Sequence, residues 1–258
     1  MIFSTIAFCT FSFWGAAVGS FLNVVIYRLP RGFLLTLPRR SYCLSCLRQI
    51  HWYENIPIFG YVFLRGRCRN CHEKIGARHP MVEVLTALLF GAIGMNYGFN
   101  VHAIYLAAFA AALLAITFID FDFRIIPDMI SWPMMVIGLL GASVIPGLEF
   151  KDAFWGGLLG GGLFWSMASA YLRVTGRDGL GFGDVKMLAM IGTFLGVSGV
   201  LGTIMISSVI GSAVGLTLML KRGQNMKMAL PYGPFLAVGA FCMIFWGDTI
   251  RFILLSGM

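Results

Sequence analysis

Long stretches of the chain carry no alternation of apolar and polar residues. Apolar positions instead follow one another, in all but one run for about 17 to 26 residues, broken by short clusters of charge, glycine and proline. Runs of that length match the ~20 residues an α-helix needs to cross a bilayer. They are too continuous for the alternating strands of a membrane β-barrel. The pattern predicts eight spans, at 2–27, 80–96, 101–119, 129–146, 153–172, 185–197, 199–220 and 232–256. Only "GVSG" separates the sixth from the seventh. The fold class expected is an all-α polytopic membrane protein with a small polar loop domain. Its parts are a first transmembrane helix at 1–27, a cytoplasmic domain at 28–79 and a seven-helix membrane core at 80–258.

Composition agrees with that pattern. Of 258 residues, 59% are hydrophobic and 12% charged, whereas soluble domains carry about a quarter charged residues. Mean hydropathy is +0.84. The net charge of +8 does not point to nucleic acid, because no basic face is interleaved with aromatics. It points to orientation, since Lys and Arg are retained on the cytoplasmic side. With the N-terminus outside, the cytoplasmic connections are 28–79, 120–128, 173–186 and 221–231. They hold seventeen of the nineteen Lys and Arg; only Lys151 and Arg251 fall elsewhere. Residues 1–27 contain no Lys or Arg, so the first run is a retained helix and not a cleavable signal.

The connection 28–79 carries "CLSC" (43–46) and "CRNC" (68–71), with 21 residues between the pairs. Two C-x-x-C pairs supply four thiolates for one tetrahedral metal site, and structural zinc is the expected occupant. Paired disulfides are the alternative, which a reducing cytoplasm disfavours. Cys43, Cys46, Cys68 and Cys71 fill every position of such a site, so it is closed and does no chemistry. His72 and His79 are spare candidates. A loop of about 50 residues has little core of its own, so the metal would supply much of its folding energy.

Asp120, Asp122, Asp128 and Asp184 all fall near the cytoplasmic membrane face, in "TFIDFDFRIIPD" and "GFGD". Acids at membrane depth are costly and are functional candidates by default. Asp184 and Asp128 each have an ordinary reading as helix starts. Asp120 closes the third span and Asp184 opens the sixth. Two carboxylates sharing a site cannot both ionise easily, which is the acid–base pairing that drives water onto a peptide carbonyl. Glu83, near the start of the second span, is unassigned: it either bonds within the bundle or meets the substrate. The small residues of "GGLLGGG" (156–162), and Ser207, Gly211 and Gly215, are spaced for close helix packing.

These motifs, in order and spacing, resemble the prepilin peptidases, or type IV leader peptidases, over essentially the full chain. The matching stretches are "GSFLNVVIYRLP" (19–30), the two Cys pairs, "YENIPIFGY" (53–61), "RHPMVEV" (78–84), "IDFDFRIIPD" (119–128), "GLGFGDVKMLAM" (179–190) and "PYGPFLAVG" (231–239). Presenilin-like and preflagellin peptidases share G-x-G-D without this Cys-rich loop. The resemblance implies an aspartic endopeptidase of the bacterial inner membrane. Such an enzyme cleaves the basic leader of prepilins and pseudopilins after Gly, for type IV pili or type II secretion. It implies Asp120 and Asp184 as the catalytic pair, and N-methylation of the new N-terminal residue by S-adenosylmethionine. No glycine-rich fingerprint for that methyl donor is present. Tyr53 stands where the family usually has Trp, and the connection from "RLP" to the first Cys is short.

Three other classes compete on the residues alone. A membrane zinc protease needs an open site such as H-E-x-x-H, which is absent. A transporter would place acids at mid-membrane, where these spans have almost none. A zinc-binding assembly factor without chemistry would not need Asp184.

Overall fold

The computed structural model describes residues 2–36, 41–145, 147–176, 181–222 and 231–256. Arg39, Arg40, Arg177, Lys227 and the first two residues of "GLGFGD" lie outside them. The described chain is helical, with two isolated antiparallel bridges and no strand. The helices are α1 (Ile2–Arg28), a short α2 (Phe59–Phe63), α3 (Arg78–Tyr97), α4 (Val101–Phe123), α5 (Asp128–Val144), α6 (Phe150–Thr175), α7 (Phe182–Arg222) and α8 (Gly233–Ser256). Among the described residues, five stretches are long and apolar enough to cross a membrane: Ile2–Arg31, Arg78–Tyr97, Val101–Phe123, Phe182–Lys221 and Gly233–Ile250. The apolar α5, at 17 residues, is shorter.

The chain forms two compact units, Met1–Ala115 and Ile116–Met258. In the first, α1 and α3 run antiparallel in close contact. A Cβ at Gly15 would stand 2.7 Å from the Thr86 carbonyl, and one at Gly19 would stand 2.7 Å from the Glu83 Cα. Small residues four apart admit that approach, which is how helices associate where lipid offers no hydrophobic gain.

In the second unit, α6 lies against α7 through the glycines singled out in the sequence. A Cβ at Gly156 would sit 2.5 Å from the Gly192 carbonyl, and one at Gly160 2.5 Å from the Leu188 carbonyl. Gly211 differs: it faces the rings of Tyr232 and Phe235 at ordinary van der Waals distance.

At 1.5 Å per residue, the 41 residues of α7 are about twice as long as a bilayer core is thick. The helix is interrupted at Gly196, whose φ of 70° and ψ of −173° are not helical. Asp152 of α6 accepts the Val197 N–H at 3.1 Å and so caps the restarting helix. The division expected at 198 therefore falls at Gly196. With the cap in place, one residue suffices where a four-residue connection was expected. α4 also runs four residues past its expected end. Asp120 and Asp122 are thus in its last turns and not in a connection.

Candidate active site and metal centre

Asp120 is buried at 5% exposure near the end of α4, where helix carbonyls lack N–H partners. One partner comes from α8. The Gly233 N–H, a free amide of that helix's first turn, donates to Asp120 Oδ2 at 3.0 Å. "PYGP" has glycine at this place for a steric reason: a Cβ on residue 233 would stand 2.6 Å from the same oxygen. The neighbouring Tyr232 is anchored too, its hydroxyl bonded to Ser207 Oγ at 3.0 Å and Ser208 Oγ at 3.3 Å.

Asp184 lies in the first turn of α7 and is partly buried. It is not the helix cap: the helix opens at Phe182, and the Asp184 N–H bonds back to the Gly181 carbonyl at 3.0 Å. Its carboxylate is within electrostatic reach of Asp120. Asp120 and Asp184 thus lie within electrostatic range of each other although 63 intervening residues separate them in sequence. Gly183 packs against Ile126 of the α4–α5 connection, which brings the start of α7 to the end of α4.

The other two acids do not join the pair. Asp122 is exposed. Asp128 opens α5 and forms an ion pair with Lys186, which also lies over the Phe182 ring at 4.8 Å. That pair ties the first turn of α5 to the first turn of α7, next to Asp184. Sequence reasoning missed both this tie and the Gly233 donor. The glycine between two aromatic- and proline-bearing positions in "PYGP" was the available signal.

In the first unit the four sulfurs of Cys43, Cys46, Cys68 and Cys71 lie within 4.8 Å of one another. Cys43 Sγ is 3.7 Å from Cys71 Sγ, and Cys46 Sγ is 4.0 Å from Cys68 Sγ. A tetrahedral site with metal–sulfur bonds near 2.3 Å has sulfur–sulfur edges of about 3.8 Å, so the set fits a four-thiolate metal. Those distances are far longer than a disulfide bond of about 2.05 Å. Neither His72 nor His79 belongs to the group.

The two Cys pairs are built alike. Cys43 N–H bonds to the Arg48 carbonyl and Cys68 N–H to the Glu73 carbonyl, at 2.9 and 2.8 Å. Each turn closes on a residue with φ of 56°, Leu47 in one and His72 in the other. Antiparallel bridges Tyr42–Gln49 and Arg67–Lys74 seal them. Backbone N–H groups of Cys71 and Asn70 aim at Cys68 and hold its thiol down at about 6. The Arg48 N–H lowers Cys46 in the same way. At Cys71 the Glu73 N–H pulls down, but desolvation and the other three sulfurs together push the thiol up to about 12. The four sulfurs could hold a metal ion, which would favour the thiolate form of each.

Glu54 joins the two knuckles. Its carboxylate takes Arg48, two residues past the first pair, at 3.1 Å, and Arg69, inside the second pair, at 3.6 Å. It also accepts the His51 N–H at 3.0 Å as part of a capping box. Desolvation opposes charge on Glu54, yet the His51 N–H and Arg48 outweigh it and hold the carboxyl below its ordinary value. A carboxyl depressed on folding stabilises the fold above its unfolded pKa, and that contribution is lost as pH falls through the folded one. At neutral pH, Glu54→Gln is expected to speed metal loss to a competing chelator several-fold. The gap from wild type should close as pH drops below the ordinary carboxyl range near 4.5. A gap that is constant with pH would contradict this account.

Comparison with known proteins agrees with both units. Residues 13–97 match the bacterial peptidase A24 N-terminal domain, and residues 107–216 match the type IV leader peptidase family. A Pseudomonas putida protein named prepilin leader peptidase/N-methyltransferase is 36% identical, over 92% of this chain and 89% of its own. Proteins of that name from Aeromonas hydrophila and Neisseria gonorrhoeae are 35% and 33% identical. They cover 90% and 92% of this chain, and 88% and 89% of their own length. No solved structure matches. With relatives this similar over nearly its whole length, this helical, multi-pass membrane chain belongs to the type IV leader peptidase family.

Proposed function

We propose that this protein is an aspartic endopeptidase that removes the basic leader of type IV prepilins or pseudopilins after Gly, and then N-methylates the new N-terminal residue. What supports the peptidase reading is that Asp120 and Asp184, at the ends of two helices in the unit that matches the peptidase family, lie within electrostatic range of each other. One carboxylate, ionised, takes a proton from water as the water attacks the scissile carbonyl carbon. The other, protonated, gives its proton to the carbonyl oxygen. Collapse of the tetrahedral diol breaks the C–N bond, and the leaving amine takes a proton from the pair. The Gly233 N–H fixes Asp120 while protons move.

Cys43, Cys46, Cys68 and Cys71 hold a structural zinc, which supplies folding energy and offers no open position. In the second reaction S-adenosylmethionine supplies the methyl group. The amine nitrogen gains the methyl, the C–S electron pair stays on sulfur as a neutral thioether, and the amine releases one proton. Eight crossings, with the N-terminus outside and the dyad facing the cytoplasm, fit the positions of the Lys and Arg residues. They also fit the interruption of α7.

The test is direct. Purified protein is incubated with a prepilin and S-adenosylmethionine, and the product is weighed. Loss of the leader with a gain of one methyl is expected. An unchanged prepilin mass overturns the reading in favour of a non-catalytic assembly factor.

A further inference from the structure

The segment that carries the Cys knuckles joins two membrane stretches, Ile2–Arg31 before it and Arg78–Tyr97 after it. α1 and α3 are antiparallel neighbours, so both ends of the segment are tethered to one face of the bilayer. The short α2 lies close to that face. The Ile58 N–H, at its N-terminal boundary, donates to Oε2 of the buried Glu83 at 2.7 Å. Glu83 is the sixth residue of α3, about 8 Å along a helix that rises 1.5 Å per residue. α2 therefore starts beside the first turns of a span. Ile58 takes a φ of 64° to bring it there, a strained value for a β-branched residue.

The two sides of α2 differ. Its inner side is clamped: Gly60 is buried, and a Cβ there would collide with the Glu54 carbonyl. Glu54 is in turn held by Arg48 and Arg69 of the two knuckles. The outer side carries Phe59, Val62 and Phe63, which share one face at i, i+3 and i+4. They are exposed at 62%, 65% and 83%. Three large apolar side chains turned outward from a fixed helix are an interaction surface.

Position and charge select the occupant. Arg65 and Arg67 follow α2 directly and are exposed, and neither pairs with an acid among the described residues. An apolar face with cations at its edge suits the boundary between acyl chains and anionic headgroups. The same arginines would repel a basic peptide.

We propose that α2 is an interfacial helix. Phe59, Val62 and Phe63 insert into the bilayer face from which α1 and α3 emerge, and Arg65 and Arg67 hold anionic headgroups there. The knuckles are thereby laid on the membrane surface and do not swing free on their tethers.

The experiment uses full-length, zinc-loaded protein in nanodiscs of phosphatidylcholine, with and without phosphatidylglycerol. The photoreactive p-benzoylphenylalanine replaces Phe63, and the irradiated protein is weighed. A mass gain of one lipid is expected in both discs, several-fold more abundant with phosphatidylglycerol. Arg65→Gln with Arg67→Gln should remove that rise and keep the adduct. Phe59→Asp with Val62→Asp should lower the adduct several-fold in both discs. All these side chains are exposed, and zinc content checks that the knuckles stay formed. Absence of any adduct overturns the inference. So does an adduct to a second copy of the chain, or to another segment of the same one, in place of lipid. A rise with phosphatidylglycerol that survives Arg65→Gln with Arg67→Gln overturns the role of the arginines.

Discussion

Asp120→Asn and Asp184→Asn are each expected to abolish leader cleavage in protein that still inserts and folds. Asn matches Asp in size, and at residue 120 its amide oxygen still accepts the Gly233 N–H. What it lacks is a proton to give or a charge with which to take one. General acid–base catalysis by one group contributes about 10²–10⁴-fold, and here both roles fail with either member. The residual rate should therefore fall below a few per cent of wild type, measured as leader release from a prepilin under single-turnover conditions. Asp122→Asn should be mild, because that side chain is exposed. Asp128→Asn removes the charge that holds Lys186 beside the opening of α7, so a partial loss is expected. A dead Asp122→Asn beside an active Asp120→Asn would move the acid by two residues along α4. Retention of activity in both Asp120→Asn and Asp184→Asn would leave the dyad without a role.

Much of this arrangement is legible in the sequence because the bilayer reads so few variables. Length and continuity of apolar residues mark the long membrane helices. The helix ends were less legible. α4 carries through Asp120 and Asp122 to Phe123, and the Arg124 N–H still bonds to the Asp120 carbonyl at 2.8 Å, a backbone bond that composition does not reveal. The break in α7 was expected within "GVSG", but its place at Gly196 depends on Asp152, a residue 44 positions earlier in α6. Long-range partners of that kind leave no local periodicity. The same holds for the Gly233 amide on Asp120, for Lys186 on Asp128 and for Glu54 between the knuckles. Each is a polar contact between distant segments. The Cys pairs are the opposite case, since C-x-x-C spacing is itself the geometry of two ligands on one turn, and four sulfurs converge as the spacing demands.

Purified protein is expected to contain about one zinc per chain. Replacing one Cys from each pair, as in Cys43→Ser with Cys68→Ser, should empty the site and open residues 41–77 to proteases. The reason is energetic. Among the described residues between α1 and α3 the only α-helix is the five-residue α2, beside two short 3-10 turns, and the only bridges are two isolated pairs. Large apolar side chains such as Leu44, Leu47, Trp52 and Phe63 are exposed there. Such a segment buries too little surface to offset its chain entropy, so metal binding is its main source of folding energy. Protonation works against it, because ligands must be thiolates: Cys68 near 6 is ready at neutral pH, but Cys71 near 12 must give up its proton to the metal. Zinc affinity should therefore rise with pH through the neutral range, followed by competition with a chromophoric chelator. Because a closed four-sulfur site has no position for water, leader cleavage should outlast the addition of chelator and decay only as the domain unfolds. Immediate inhibition, reversed at once by added zinc, would place the metal in the chemistry. Purified chain without zinc, its four thiols joined as disulfides, would overturn both the metal site and the cytoplasmic placement of the loop.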